Sequence, residues 1–164
     1  MHAKEFRVSL EEMEEILREE TVGYLGLSAD GQPYVVPLNY AYVGRRILFH
    51  CGLTGKKLEY LKTNPRVCFT VGRQREEMRA HAERFPCFLD SHSVICVGRA
   101  RVVEDLQERQ RALTTFQRCY QPEAEEISPR RAEGCCTVEI EISEMTGRKV
   151  VAREYSYWRY VFDQ

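Results

Sequence analysis

Apolar residues recur along this chain in two periods. After Ser9, the residues Leu10, Met13, Ile16 and Leu17 fall three and four apart, which predicts the buried face of a helix over residues 10–20. Ser9-Leu-Glu-Glu12 marks its start as a capping box, with Val8 and Met13 placed to staple it. The period then changes to two. Tyr24–Ser28, Pro33–Val43 and Arg46–Cys51 read as strands, separated by the turns Ala29-Asp-Gly-Gln32 and Gly44-Arg45. The short turns predict a three-stranded antiparallel meander.

A short helix follows Gly55 and stops at Pro65; Arg66–Gly72 then alternates again through Val67, Phe69 and Val71. Residues 73–90 mix charges without a clean period and read as a loop with some helix. Ser93–Glu104 is a long strand, and its Val94, Cys96, Gly98, Ala100 face is small enough for another backbone or a ligand to approach closely. Asp105, with Glu108 three residues on, opens a helix whose buried stripe is Leu106, Leu113, Phe116 and Tyr120. Residues 121–131 form a polar loop. Thr137–Ile142 alternates strictly, with Val138, Ile140 and Ile142 inward. The aromatic tail, YSYWRYVF, belongs to a core or an interface, with Trp158 as a candidate interface anchor. These segments add up to a mainly β fold, about six antiparallel strands with helices at the connections, closer to a barrel or sandwich than to βαβ units.

The length, 164 residues, suits a single domain spanning residues 1–164. A net charge of −1 supplies no global attraction to nucleic acid or to a membrane surface. The apolar runs are too short to span a bilayer, and the N-terminus is charged, so a cytoplasmic location is expected. The seven cysteines include no CxxC and read as reduced thiols; without paired-ligand spacing, no metal site is expected.

Candidate chemistry concentrates in FHCGLTGKKLEYLKTNP, residues 49–65. Lys56 and Lys57 would sit in the first turn of a helix, where the dipole disfavours cations. A bound anion resolves that conflict. Free N–H groups, the Thr54 hydroxyl and two ammoniums suit a phosphate, with Arg66 available if the chain folds back. A solvated basic turn fits the charges equally well. In Val35-Val-Pro-Leu-Asn-Tyr40, Pro37 calls for a sheet edge, and Asn39 offers hydrogen bonds within an apolar run. His50 ends a strand at the lysine loop and is expected to face the same cleft. Ser93 and His92 open the small-faced strand. No nucleophile elbow, Walker A loop, dinucleotide fingerprint or HExxH is present.

Taken together, LGLSADGQPYVVPLNYAY, LFHCGLTGKKLEYLKTNPRVCFTV and SHSVICVGRARVVED resemble the pyridoxamine 5′-phosphate oxidase-like flavoproteins, and most closely the branch with the Nim-type nitroimidazole-resistance proteins. The resemblance covers about residues 22–120. It implies a six-stranded antiparallel Greek-key split barrel, and a homodimer with FMN at the interface. By position, Val36, Pro37, Leu38 and Asn39 would line the isoalloxazine ring. His50 and Cys51 would lie along the cofactor, and Lys56 and Lys57 would hold its phosphate, with the Thr54 hydroxyl, a candidate from the residues themselves, beside them. Ser93 would approach the cofactor. The implied activity is an FMN-dependent oxidoreductase, passing electrons from a reduced nicotinamide to a small acceptor such as a nitroaromatic, with His50 as the candidate proton-handling residue. A non-enzymatic flavin-binding module and a haem-binding split barrel are the rival readings. Three departures stand out. The C-terminal REYSYWRYVFDQ lacks the arginine- and histidine-bearing signature of the true oxidases. Gly55-Lys56-Lys57 replaces their serine-arginine-lysine, losing a bidentate arginine. Ser91 replaces the aromatic frequent in Nim-like relatives.

Overall fold

The computed structural model describes residues 8–73, 91–151 and 154–162. The expected loop with some helix, apart from Arg73 itself, lies outside the described residues. Helix α1 (Leu10–Glu19) starts as its sequence requires: the Ser9 N–H donates to the Glu12 carboxylate at 2.8 Å, and the Glu12 N–H donates to Ser9 Oγ at 3.1 Å. Val8 and Met13 are buried together over Gly147, where a Cβ would meet Met13 Sδ at 2.4 Å.

Eight strands follow among the described residues: β1 (Val22–Ala29), β2 (Gln32–Asn39), β3 (Ala41–Val43), β4 (Arg46–Cys51), β5 (Arg66–Arg73), β6 (Ser91–Val102), β7 (Cys136–Val151) and β8 (Glu154–Val161). They form one antiparallel sheet in the order β2-β1-β5-β6-β7-β4-β3, with β8 on the distal half of β7. Helices α2 (Lys56–Thr63), α3 (Leu106–Tyr120) and α4 (Pro129–Glu133) fill the connections. The six expected strands are all present. The count rises to eight because the expected strand over residues 33–43 breaks at Tyr40 and the aromatic tail pairs as β8.

That break also replaces the expected meander. Among the described residues β2 pairs only with β1, and β3 pairs only with β4, so consecutive strands stand at opposite ends of the sheet order. A single residue, Tyr40, joins them. The sheet must therefore curl until its ends meet, giving a half-barrel around Leu25, Phe49, Phe69, Val71, Val94, Val138 and Ile140, each fully buried. Tyr40 is 2 % exposed and lies edge-on to Phe69 at 4.7 Å. The small face of β6 is explained by backbone: a Cβ on Gly98 would stand 2.1 Å from the Glu141 carbonyl oxygen, beside the register shift between Val97 and Gly98. In α3, Leu113 is buried and Leu106 and Phe116 are partly so, while Tyr120 is exposed at the end of the stripe. Trp158 is half-buried against the main core and meets Tyr160 at 6.4 Å. No helix among the described residues is long and apolar enough to cross a membrane.

Candidate functional site

The turn Gly44-Arg45 has positive φ at both residues, 54° and 63°, and closes a two-residue hairpin. Its ladder runs Val43↔Arg46, Tyr42↔Ile47, Ala41↔Leu48 and then stops. Continued, it would set Leu38 opposite Cys51. The strands part instead: β2 stays with β1, and the end of β4 stays with β7 through Phe49↔Val138 and Cys51↔Cys136. This split has β2 on one side and the end of β4 on the other, and β4 leads through residues 52–55 into α2.

The β2 edge of the split has a defined chemistry. Asp30-Gly31 is another two-residue turn with positive φ, at 50° and 76°, so Ala29↔Gln32 is a hydrogen-bonded pair. Alternation then turns the backbone groups of residues 34, 36 and 38 toward β1, and those of 33, 35, 37 and 39 toward the free edge. Pro33 and Pro37 occupy edge positions, where a missing N–H removes no ladder bond. The edge thus carries carbonyls from all four residues and N–H groups from Val35 and Asn39 only. Side chains alternate as well. Val36 and Leu38 pack half-buried on the core, whereas Pro37 and Asn39 are exposed on the outer face. The Asn39 amide nitrogen donates to the Thr21 carbonyl at 2.9 Å, a local satisfaction.

The start of α2 is bare. Gly55 is the N-cap with φ 138° and ψ 163°, a region essentially restricted to glycine, and no side chain caps the helix. A Cβ there would meet nothing within 4 Å, so backbone geometry and not crowding requires the glycine. Thr54 is exposed just ahead. Lys56 Nζ lies 4.7 Å from the Tyr34 ring centroid and 5.4 Å from that of Tyr60. Lys57 Nζ lies 5.4 Å from the Phe49 ring centroid. These rings hold the ammoniums by cation–π attraction without neutralising them. Among the described residues neither lysine is ion-paired. Tyr34, Tyr60 and Phe49 are the residues that sequence reasoning missed. Tyr60 had a signal, since it stands four positions after Lys56 in the same helix. Arg66 does not fold back to the lysines; it lines a separate groove with Gly26, Ser28, Asn64, Cys68 and Val97.

Strand alternation divides the end of β4. Ile47, Phe49 and Cys51 turn to the interior and Lys57, while Leu48 and His50 turn to α3. The His50 ring stands edge-on to Phe116 at 5.0 Å. It lines a groove of about 150 Å3 with Leu113, Phe116, Gln117, Ile127, Arg131 and Cys135. His50 was expected to face the lysine loop; it lies across the sheet from it, because a residue next to Cys51 in a strand cannot share its face. Ser93 is half-buried in β6 opposite Gly72 and Arg148, and β1 and β5 stand between it and β2 in the sheet order. Cys51 is half-buried; burial pushes its thiol above the usual range, and the Lys57 ammonium pulls it back down.

A curled antiparallel half-barrel, split beside a two-lysine helix start, places the chain in the class of split barrels. The family model for pyridoxamine 5′-phosphate oxidase matches residues 9–149, and the chain belongs to that family. Among solved structures, it is similar to a candidate 5-nitroimidazole antibiotic resistance protein from Bacteroides thetaiotaomicron, with 26% identity, 93% of this chain and 87% of that chain covered, and a TM-score of 0.76. It is also similar to an FAD-binding protein from Mesorhizobium loti, at 26% identity over 88% of this chain and 96% of that one, with a TM-score of 0.66. An uncharacterised protein of Rhizobium meliloti is 26% identical over 90% of this chain and 96% of its own length.

Proposed function

We propose that the chain binds FMN in the split, with the phosphate at the start of α2, and works as a nicotinamide-linked oxidoreductase on a small acceptor such as a nitroaromatic. One observation carries this reading: an uncapped helix start with two lysines and no paired carboxylate, at the end of a gap between two unpaired strand edges. The residues fit the group. The first-turn N–H groups of α2 and the Lys57 ammonium suit a phosphate. The Tyr34 and Tyr60 faces hold Lys56 beside it. The carbonyl-rich β2 edge, with the Val35 and Asn39 N–H groups, suits the rim of a heteroaromatic ring, and Val36 and Leu38 supply apolar backing. Bound flavin would supply hydride and electron transfer; the protein binds, orients and excludes water. His50 has no part in this reading.

The outer face of β2, β1, β5 and β6 brings Val35, Val22, Tyr24 and Ile95 together, exposed by 63%, 46%, 48% and 41%. An apolar sheet face of this kind fits a second copy of the chain, and the functional unit in this reading is a homodimer. A single-chain mass in sedimentation would overturn the dimer.

The test is a flavin titration followed by absorbance. FMN should bind with a yellow spectrum, and NADH or NADPH should bleach it. Lys57→Ala should weaken FMN at least tenfold, about 1.4 kcal/mol, with circular dichroism unchanged. No flavin binding by the unaltered chain would end the proposal. Binding without reduction by either nicotinamide would leave a flavin-binding module in place of an enzyme.

A further inference from the structure

We propose that Cys51 and Cys136 form a reversible cross-strand disulfide, an oxidation site built into the wall of the split. The two residues are register partners in the β4–β7 ladder, and their thiols meet on the interior face. The hydrogen-bonding phase follows from the Gly44-Arg45 turn. It turns the backbone of residues 46 and 48 toward β3, and hence that of 47, 49 and 51 toward β7. Cys51↔Cys136 is therefore a hydrogen-bonded pair: its Cα separation of about 5.5 Å lies within the disulfide range, but its Cβ atoms stand toward the wide end of about 4.5–5.5 Å, so closing the bond draws the strand ends together and leaves it strained and readily reduced. It is also the last rung of its ladder, and the chain beyond Cys51 is an exposed loop that can adjust to the bond.

The other described cysteines lack this arrangement. Cys135 turns to the His50 groove, its Sγ 4.0 Å from the Arg131 carbonyl oxygen. Cys68 is exposed on the outer face while Cys96 is buried inside, so these neighbours point to opposite sides of the sheet. Cys119 is exposed on α3.

The two thiols are unequal. Cys51 is half-buried beside Lys57, and Cys136 is 6% exposed behind it. A peroxide reaches Cys51 first. The Cys51 thiolate attacks one peroxide oxygen, the O–O bond breaks, and the departing alkoxide or hydroxide takes up the thiol proton. Cys51 is left as a sulfenic acid. Cys136 sulfur then attacks Cys51 sulfur and displaces hydroxide, which leaves as water with the Cys136 proton. Two thiols and one peroxide give one disulfide, one water and one alcohol or second water. Burial raises both thiols, so thiolate is scarce at neutral pH and the reaction accelerates as pH rises.

The experiment uses the full chain treated with hydrogen peroxide, then alkylated in acid and mapped by non-reducing mass spectrometry. The expected product links Cys51 to Cys136, disappears with dithiothreitol, and forms several-fold faster at pH 9 than at pH 7. Cys136→Ser should abolish the link and leave Cys51 as a trapped sulfenic acid. Cys51→Ser, at the more exposed position, provides the same loss of the link should the first variant fold poorly. Complete alkylation of Cys51 after peroxide, or a link from Cys51 to Cys135, would overturn the proposal. None of these readouts involves flavin, so failure here and failure of the flavin reading are separate results.

Discussion

The last residues of β4 carry reactive side chains on both faces, and the two faces end up chemically unlike. Toward the interior, Phe49, Cys51 and Cys136 meet the Lys57 ammonium at the bare start of a helix. Toward α3, His50 is edge-on to Phe116 in a groove of about 150 Å3. That is well below the roughly 300–1,000 Å3 of small-molecule pockets. A histidine next to two lysines in sequence invites a catalytic role. In the fold, the interior face has unneutralised cations and free helix N–H groups, while the α3 face has an aromatic partner and little room. Polarity in the sequence says which residues are able to act; the strand's two-residue period decides which can act together.

Three perturbations test this contrast, in descending order of effect. Gly55→Ala attacks the interior face. At φ 138° and ψ 163° an alanine costs about 1–3 kcal/mol, so calorimetry should show melting several degrees lower, and flavin affinity should fall with it. Unchanged melting would show that the helix start tolerates another backbone.

Alkaline pH separates the faces more finely. Burial raises the folded-state values of Cys51 and Cys136 above their unfolded ones. The stability tied to them is complete below the unfolded value, about 8.5, and is lost as pH rises toward the folded values. The melting temperature should therefore decline between pH 8 and pH 10. The double variant Cys51→Ser, Cys136→Ser should flatten part of that slope, and His50→Ala should leave it as it is. Cys68, Cys96, Cys119, Tyr40, Tyr42 and Tyr120, also raised by burial, contribute to the remainder. The smallest effect belongs to His50→Ala itself. Loss of the Phe116 contact should cost about 0.5–1.5 kcal/mol, with FMN affinity within twofold of the unaltered chain. A tenfold weaker affinity would return His50 to the site.

The two periods in the sequence anticipated most elements. The capping box at Ser9 and the glycine turns set α1 and both tight hairpins, and the close approach implied by Gly98 is that of the β7 backbone. Pairing between distant strands left weaker marks. Nothing in Pro33–Val43 announces that the strand changes partner at Tyr40, because the choice of neighbour depends on how the whole sheet curls. Within the site, the lysines were visible as charges at the wrong end of a helix. The aromatic rings beneath them were not, since Tyr34 and Phe49 reach them only through tertiary packing. His50 was misplaced by proximity along the chain, although the alternation that turns it away was itself readable beside Cys51.

The split also bears on aggregation. Strand edges without partners are templates for other chains, and a half-barrel that leaves β2 open runs that risk. Pro33 and Pro37 remove two of the four N–H groups from that edge, so a foreign strand finds acceptors with few donors between them. The prolines thus work against edge-to-edge pairing of β2 with another copy of the chain.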